Sequence, residues 1–424
     1  MNYITISKPL INNMGNVSRL EAVIIGPDFS KVHYFEVESK YEKYLCVERC
    51  DAFVVSLLYF ALVNGYNIRS EAAISEKLYY QLTSILIPTM NNYYPDRFHK
   101  ISITADISNQ MIENAKGVGC AVSGGVDSFY TIISNMNHLA KDYRVTHLLV
   151  ANSFNVFYGD NDTRKRFKEI ADNAQIIADD LKIPLVKIYS NHSEFWFPHY
   201  QNVFCAKYAS YPLALQKLFG KYYFSSGYEY KDFSFTTSDW DSSHYDAVSA
   251  PNLSTENFDF ILSGGGINRA NKIKYIADNS TVQKYLQVCN LQKENCSVCN
   301  KCMRTEIVLY SIGMLNCFSK SFDLNKFEKY KNKYILKMMY QRGIFDKENI
   351  NLLKDNNIKI PSIIIVKSKL LRILYLIKEL FVKNKTILKI YKRIRRSDDT
   401  IMLEDIERYN VDKEFAKDCD NGII

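Results

Sequence analysis

Apolar and polar residues follow different rhythms along the chain, and each rhythm predicts an element. Val32-His33-Tyr34-Phe35-Glu36-Val37 partly alternates, which predicts a strand. The run Ala52 to Val63 is almost wholly apolar and stops before Gly65, which predicts a helix with Asp51 as its N-cap. Ser75 opens a second helix through Ile87, closed by Pro88. Ile101 to Ile107 alternates again, as a short strand. Residues 1–110 therefore predict an α+β domain.

From residue 117 strands and helices alternate. Gly117 to Val122, His147 to Ala151, Leu185 to Ile188 and Tyr222 to Ser225 are short apolar runs of strand length. Between them Ser128 to Leu139, Arg164 to Leu181 and Ala206 to Phe219 have helical spacing. This order predicts an α/β domain over residues 115–318. Its sheet is parallel and takes ligands at the C-terminal ends of its strands. Residues 319–424 predict a helical, polar and basic C-terminal region.

Composition narrows the picture. Hydrophobic residues make up 47% and charged residues 24%, a globular balance that excludes a disordered or fibrous chain. The start has no basic-then-apolar leader, and no long uncharged apolar run offers a transmembrane segment. A cytoplasmic protein is expected. Ten cysteines in a chain this long, four of them clustered, point to metal rather than disulfides. The net charge of +8 is local, because eleven basic residues and only Glu379 lie between Val366 and Arg396. Leu370, Ile373, Leu374, Ile377, Leu380 and Phe381 recur there at helical spacing, then Leu388, Tyr391 and Ile394. An amphipathic helix with a basic face is predicted. Such a face suits plain solvation, an acidic protein partner, nucleic acid or a membrane surface.

Two motifs carry chemistry. In Gly119-Cys120-Ala121-Val122-Ser123-Gly124-Gly125-Val126-Asp127-Ser128 an apolar strand enters a glycine turn and then a helix. Glycines let backbone N–H groups close on an anion, and the helix start adds free N–H groups and a positive dipole end. No lysine follows the turn, so it is not a Walker A loop. Further on, Cys289, Cys296, Cys299 and Cys302 are separated by six, two and two residues. Four thiolates at that spacing can close a tetrahedral structural zinc site; an iron–sulfur cluster is the other reading.

The Ser123–Ser128 run resembles the SGGxDS loop of the PP-loop ATP pyrophosphatases, which have a HUP-like parallel sheet. Followed by the four cysteines and Arg304, it resembles 7-cyano-7-deazaguanine synthase, over roughly residues 117 to 318. The resemblance implies an ATP-dependent carboxylate-activating ligase using ATP, Mg²⁺ and a structural Zn²⁺. ATP would lie on Ser123, Gly124, Gly125, Val126, Asp127 and Ser128, with Asp127 organising the loop and the metal. A small-molecule carboxylic acid would be adenylated and then joined to an amine acceptor, giving an amide or nitrile. Relatives of this synthase in bacterial anti-phage defence resemble protein-conjugating enzymes, so a protein terminus is another acceptor. A tRNA-modifying enzyme and a non-catalytic nucleotide-binding scaffold are the remaining readings. That synthase has Asp-Tyr-Gly-Gln-Arg-His after its second strand, whereas this chain keeps Tyr158 and Gly159 and lacks the Gln-Arg-His. That departure falls in the pocket that reads the deazapurine acid, so the acid expected is a deazapurine-like one or another.

Secondary candidates surround these motifs. His244 and Asp246, in Ser243-His244-Tyr245-Asp246, suit acid–base work. Arg269 and Lys272 follow Gly264-Gly265-Gly266 and suit neutralising pyrophosphate or a substrate carboxylate. Ser225, in Ser225-Ser226-Gly227, ends a predicted strand and would line the nucleotide site. Cys120 falls within an apolar strand, where cysteine acts as a small hydrophobe.

Overall fold

The computed structural model describes residues 2–152, 163–192, 200–235, 241–289, 291 and 293–383. Tyr158, Gly159 and the basic run beyond Lys383 lie outside them. The chain divides into two units, Met1–Ile267 and Asn268–Ile424.

The first unit begins with β1 (Tyr3–Ile6), β2 (Leu10–Asn13), β3 (Val17–Ile25) and β4 (Ser30–Glu38). Then come α1 (Asp51–Asn64), β5 (Asn67–Ser70), β6 (Ile74–Ser75) and α2 (Glu76–Gln81). A π-helical turn (Leu82–Leu86) leads into α3 (Ile87–Tyr93), β7 (Ile103–Thr104) and β8 (Ile107–Ser108). Strand and helix then alternate through β9 (Gly117–Ala121), α4 (Val126–Met136), β10 (His147–Ala151), α5 (Thr163–Leu181) and β11 (Leu185–Ser190). The unit ends with α6 (Tyr200–Ala214), β12 (Phe219–Ser225), α7 (Asp246–Ser249) and β13 (Asp259–Ser263).

One eleven-stranded sheet runs through this unit in the order β13-β12-β9-β10-β11-β4-β3-β1-β5-β7, with β2 also on β3. From β13 to β11 every pairing is parallel. At β11 the direction reverses, where Ile188 faces Val37 of β4. The N-terminal strands thus extend the same sheet, and the domain boundary expected near residue 110 falls inside one unit. A single apolar core explains this. Ile4, Leu20, Phe35 and Phe53 belong to the same buried cluster as Val186, Tyr211 and Phe260.

Helix α1 is buried on all sides, from Asp51 through Leu62. An apolar run without a polar face has to be covered all round, and α6 packs along it. Cys50, not Asp51, occupies the N-cap position of α1, with no side-chain capping bond. The Asp51 carboxylate instead accepts from Ser75 N at 2.9 Å, Ser75 Oγ at 2.6 Å and Gln216 Nε2 at 3.1 Å. Pro88 does not end a helix either; it sits in the first turn of α3. The preceding π turn shifts the hydrogen-bond register, so the missing proline N–H breaks no α-helical bond.

The second unit is helical: α8 (Arg269–Ile276), α9 (Ser280–Tyr285), α10 (Asn300–Ser311), α11 (Leu324–Gln341), α12 (Ile344–Asp355) and α13 (Ser362–Lys383). It begins at Asn268, well before the expected boundary at 318, because α10 packs on α8, α11 and α12. No described helix is long and apolar enough to cross a membrane.

Candidate active site and candidate metal centre

The loop from Val122 to Gly125 joins β9 to α4. Gly124 has φ +74°, a left-handed conformation that glycine adopts without penalty. The loop closes on itself. Ser128 Oγ donates to Ala121 O at 2.7 Å and accepts from Ser123 N at 3.1 Å, and Gly125 N donates to Ser123 Oγ at 3.3 Å. The Ser128 hydroxyl proton is therefore spent on holding the loop, where the sequence suggested a phosphate donor. Ser123 is exposed, Val126 is buried, and Asp127 is half-buried in the first turn of α4. No side chain caps α4. The first-turn N–H groups of a helix lack intrahelical acceptors, so this end offers donors and a positive dipole to an anion.

Strand order places this loop. From β9 the chain moves outward to β10 and β11, then crosses back to β12 and β13 on the other side. The connections that leave β9 and β12 run in opposite directions, so the C-terminal edge between these strands is a switch point, the place where α/β sheets form a ligand crevice. Ser225 ends β12 at that crevice, but its hydroxyl donates to Thr131 Oγ1 of α4 at 2.9 Å. Gly264, just after β13, has φ +81°, and a Cβ on Gly265 would meet the Tyr230 ring at 2.5 Å.

His244 and Asp246 follow β12 in sequence, and both are buried. They do not pair. The His244 ring stacks on Tyr228 with centroids 4.3 Å apart, and its Nδ1 has no partner among the described residues. Asp246 Oδ1 also lacks a partner. Burial, then the nearby Asp241 charge, pushes the Asp246 carboxyl well above its usual range, against the Cys205 thiol. This shift favours the neutral acid over the carboxylate at Asp246.

A polar cluster at the end of β11 was not foreseen. Tyr34 N donates to Asn191 Oδ1 at 2.9 Å, so that oxygen accepts and His33 Nδ1, 3.1 Å away, carries a proton. His33 Nε2 then accepts from Ser56 Oγ at 2.8 Å. His192 Nε2 donates to Ser56 O at 2.8 Å, leaving its Nδ1 as an unpartnered acceptor. Burial holds His33 down at about 4 and His192 well below its ordinary value, with the Lys207 charge adding to the second effect. Burial alone lowers Lys207 to about 8. No spacing rule flags these residues, because they come from β4, α1, the end of β11 and α6. In sequence Lys207 and Ser56 are polar residues within apolar runs, and nothing there brings them together.

In the second unit the four cysteines converge. All four are buried and their sulfurs lie within 4.8 Å of one another. Cys289–Cys299 and Cys296–Cys302 are both 3.9 Å apart. Tetrahedral zinc with bonds of about 2.3 Å needs sulfurs roughly 3.8 Å apart, so the residues fit the ion. Backbone N–H groups of Leu291 and Cys299 donate to Cys289 and Cys296 sulfurs at 3.4 and 3.3 Å. Ser297, at φ +57°, makes the turn between Cys296 and Cys299. Cys299 occupies the N-cap position of α10 and Cys302 lies in its first turn, at the positive end of the helix. Hydrogen bonds from Cys296, Cys299 and Cys302 lower the Cys289 thiol. Donating to Cys289 and Cys296 raises Cys299, and burial raises Cys302. Such a set ionises fully only around a cation.

Asn295 clamps the site. Its Oδ1 accepts from Val288 N and Cys289 N at 2.8 and 3.0 Å, and its Nδ2 donates to Leu286 O and Ser321 O. One turn past Cys302, Glu306 is buried, and burial pushes it up to about 9 against the opposing effect of the nearby Ser297 hydroxyl. Neither residue stood out in sequence. Arg269 and Lys272 belong to α8 of this unit. Lys272 is buried, and the Arg269 and Arg304 guanidiniums lie 5.9 and 4.3 Å from the Phe345 ring centroid.

Comparison with protein-family models, curated proteins and solved structures gives no match for this chain.

Proposed function

We propose that this protein is a PP-loop-type ligase that activates a carboxylate with ATP. The observation that carries the reading is the placement of Ser123–Ser128 at the switch point of a parallel sheet, as a self-closed glycine turn running into an uncapped helix start. In this reading the α4 N-terminus and the loop backbone hold the ATP phosphates. Asp127, in the first turn of α4, would hold Mg²⁺, which would neutralise the phosphate charge. A substrate carboxylate oxygen attacks the α-phosphorus and pyrophosphate leaves. An amine nitrogen then attacks the acyl carbon and AMP leaves, forming the amide. The chain's share of the catalysis is positioning and electrostatic stabilisation. The four-cysteine site contributes no step. The residues that would hold zinc form a closed set with no open position, so the ion serves the fold of the second unit. The test is pyrophosphate release from MgATP over a panel of carboxylic acids, a 7-deazapurine acid among them, with ammonium as nucleophile. Tight ATP binding without acid-dependent pyrophosphate would favour the nucleotide-binding scaffold instead.

A further inference from the structure

Helix α13 packs on α11 by a mixed polar and apolar face, and among the described residues its second face, an apolar one, stands exposed. On the inner side Ile364 and Ser368 are buried. Arg372 Nη1 donates to Tyr340 O and Gln341 O of α11, both at 2.8 Å, and Tyr375 meets Tyr340 edge-on at 5.9 Å. On the outer side Ile363, Val366, Leu370, Ile373 and Ile377 recur at steps of three and four, with Leu374 beside them. These six are between 45% and 71% exposed. Such spacing aligns them in one stripe along the helix. Helical geometry puts Lys367 on one border of the stripe and Lys369 on the other, both exposed. Basic residues continue in the sequence to Arg396, opposed only by Glu379.

Charge decides what can cover this face. A second copy would bring lysines against lysines with no acidic residue bordering the stripe to pair them. A nucleic-acid backbone would satisfy the lysines and leave a row of isoleucines and leucines in water. An anionic lipid surface matches both features: acyl chains take the apolar stripe, and the lysines reach the headgroups on either side. We infer that the outer face of α13 docks in the plane of an anionic membrane surface. The helix lies on the bilayer and does not cross it, in keeping with its charge content.

The test uses the full chain and sedimentation with vesicles of phosphatidylcholine, with or without phosphatidylglycerol. Binding is expected only to the anionic vesicles, and it should weaken as salt rises. The variant Leu370→Glu/Leu374→Glu changes exposed positions, so its melting should match the parent while its partitioning falls by at least about tenfold. Lys367→Gln and Lys369→Gln should each weaken partitioning about fivefold. Three outcomes overturn the proposal: no binding to anionic vesicles, unchanged binding by the double glutamate variant, or self-association without lipid that this variant abolishes. Salt-sensitive binding of RNA without vesicle binding overturns it as well.

Discussion

Gly124 holds φ at +74° at the point where the chain must turn from β9 into α4. Replacing it with alanine should cost about 1 kcal/mol of stability in denaturant unfolding, because a Cβ disfavours that conformation. On the proposed reading MgATP affinity falls much further, by at least about tenfold in a titration, since the loop N–H groups turn away from the phosphates. Lys207 is the opposite kind of residue, one the fold tolerates at a loss. Its folded value of about 8 lies below the ordinary 10.5, so the unfolded chain holds more protons between these values. Stability therefore rises with pH across that window, and below it the full penalty of the buried charge remains. Lys207→Met should raise unfolding stability at neutral pH by on the order of 3 kcal/mol, a gain that fades towards pH 10.5. The glycine was legible in sequence because a turn constrains residue type locally. The lysine was not, because its burial depends on α1, α6 and the end of β11 meeting.

At the scale of elements, the strands and helices from β9 to β11 lie close to their expected positions, whereas the helix expected at Ala206 to Phe219 runs from Tyr200 to Ala214 and Phe219 opens β12. Each has a local apolar period that fixes it. The departures have local causes too. Asp51 bonds across to β6 and Gln216 rather than to its own helix, and a π turn absorbs Pro88. The knuckle of Cys289, Cys296, Cys299 and Cys302 ties the start of α10 to the segment before it. Only spacing was needed to find the four sulfurs; the Asn295 clamp needed the fold. If the four thiolates hold zinc as proposed, a chelator or the substitution Cys299→Ser should release it and lower the melting temperature. A purified parent without zinc or iron, or a Cys299→Ser variant with unchanged metal content and melting, would rule out the metal centre.

At the scale of the molecule, the sheet passes from the N-terminal strands into the parallel half at β4 and β11, and one core serves both. Sequence placed a boundary there because the periodic pattern lapses near residue 110. Strand pairing between Val37 and Ile188 is a long-range fact that no window of sequence displays. The same topology sets the Ser123–Ser128 loop at the switch point, and the functional account rests on that placement. The direct measurement is the fate of ATP labelled at the α-phosphate, incubated with Mg²⁺, the acid panel and hydroxylamine as a trapping nucleophile. The account predicts AMP and pyrophosphate, formed only when an acid is present, together with a hydroxamate of that acid. ADP and inorganic phosphate, or no cleavage with any acid despite bound ATP, would contradict it.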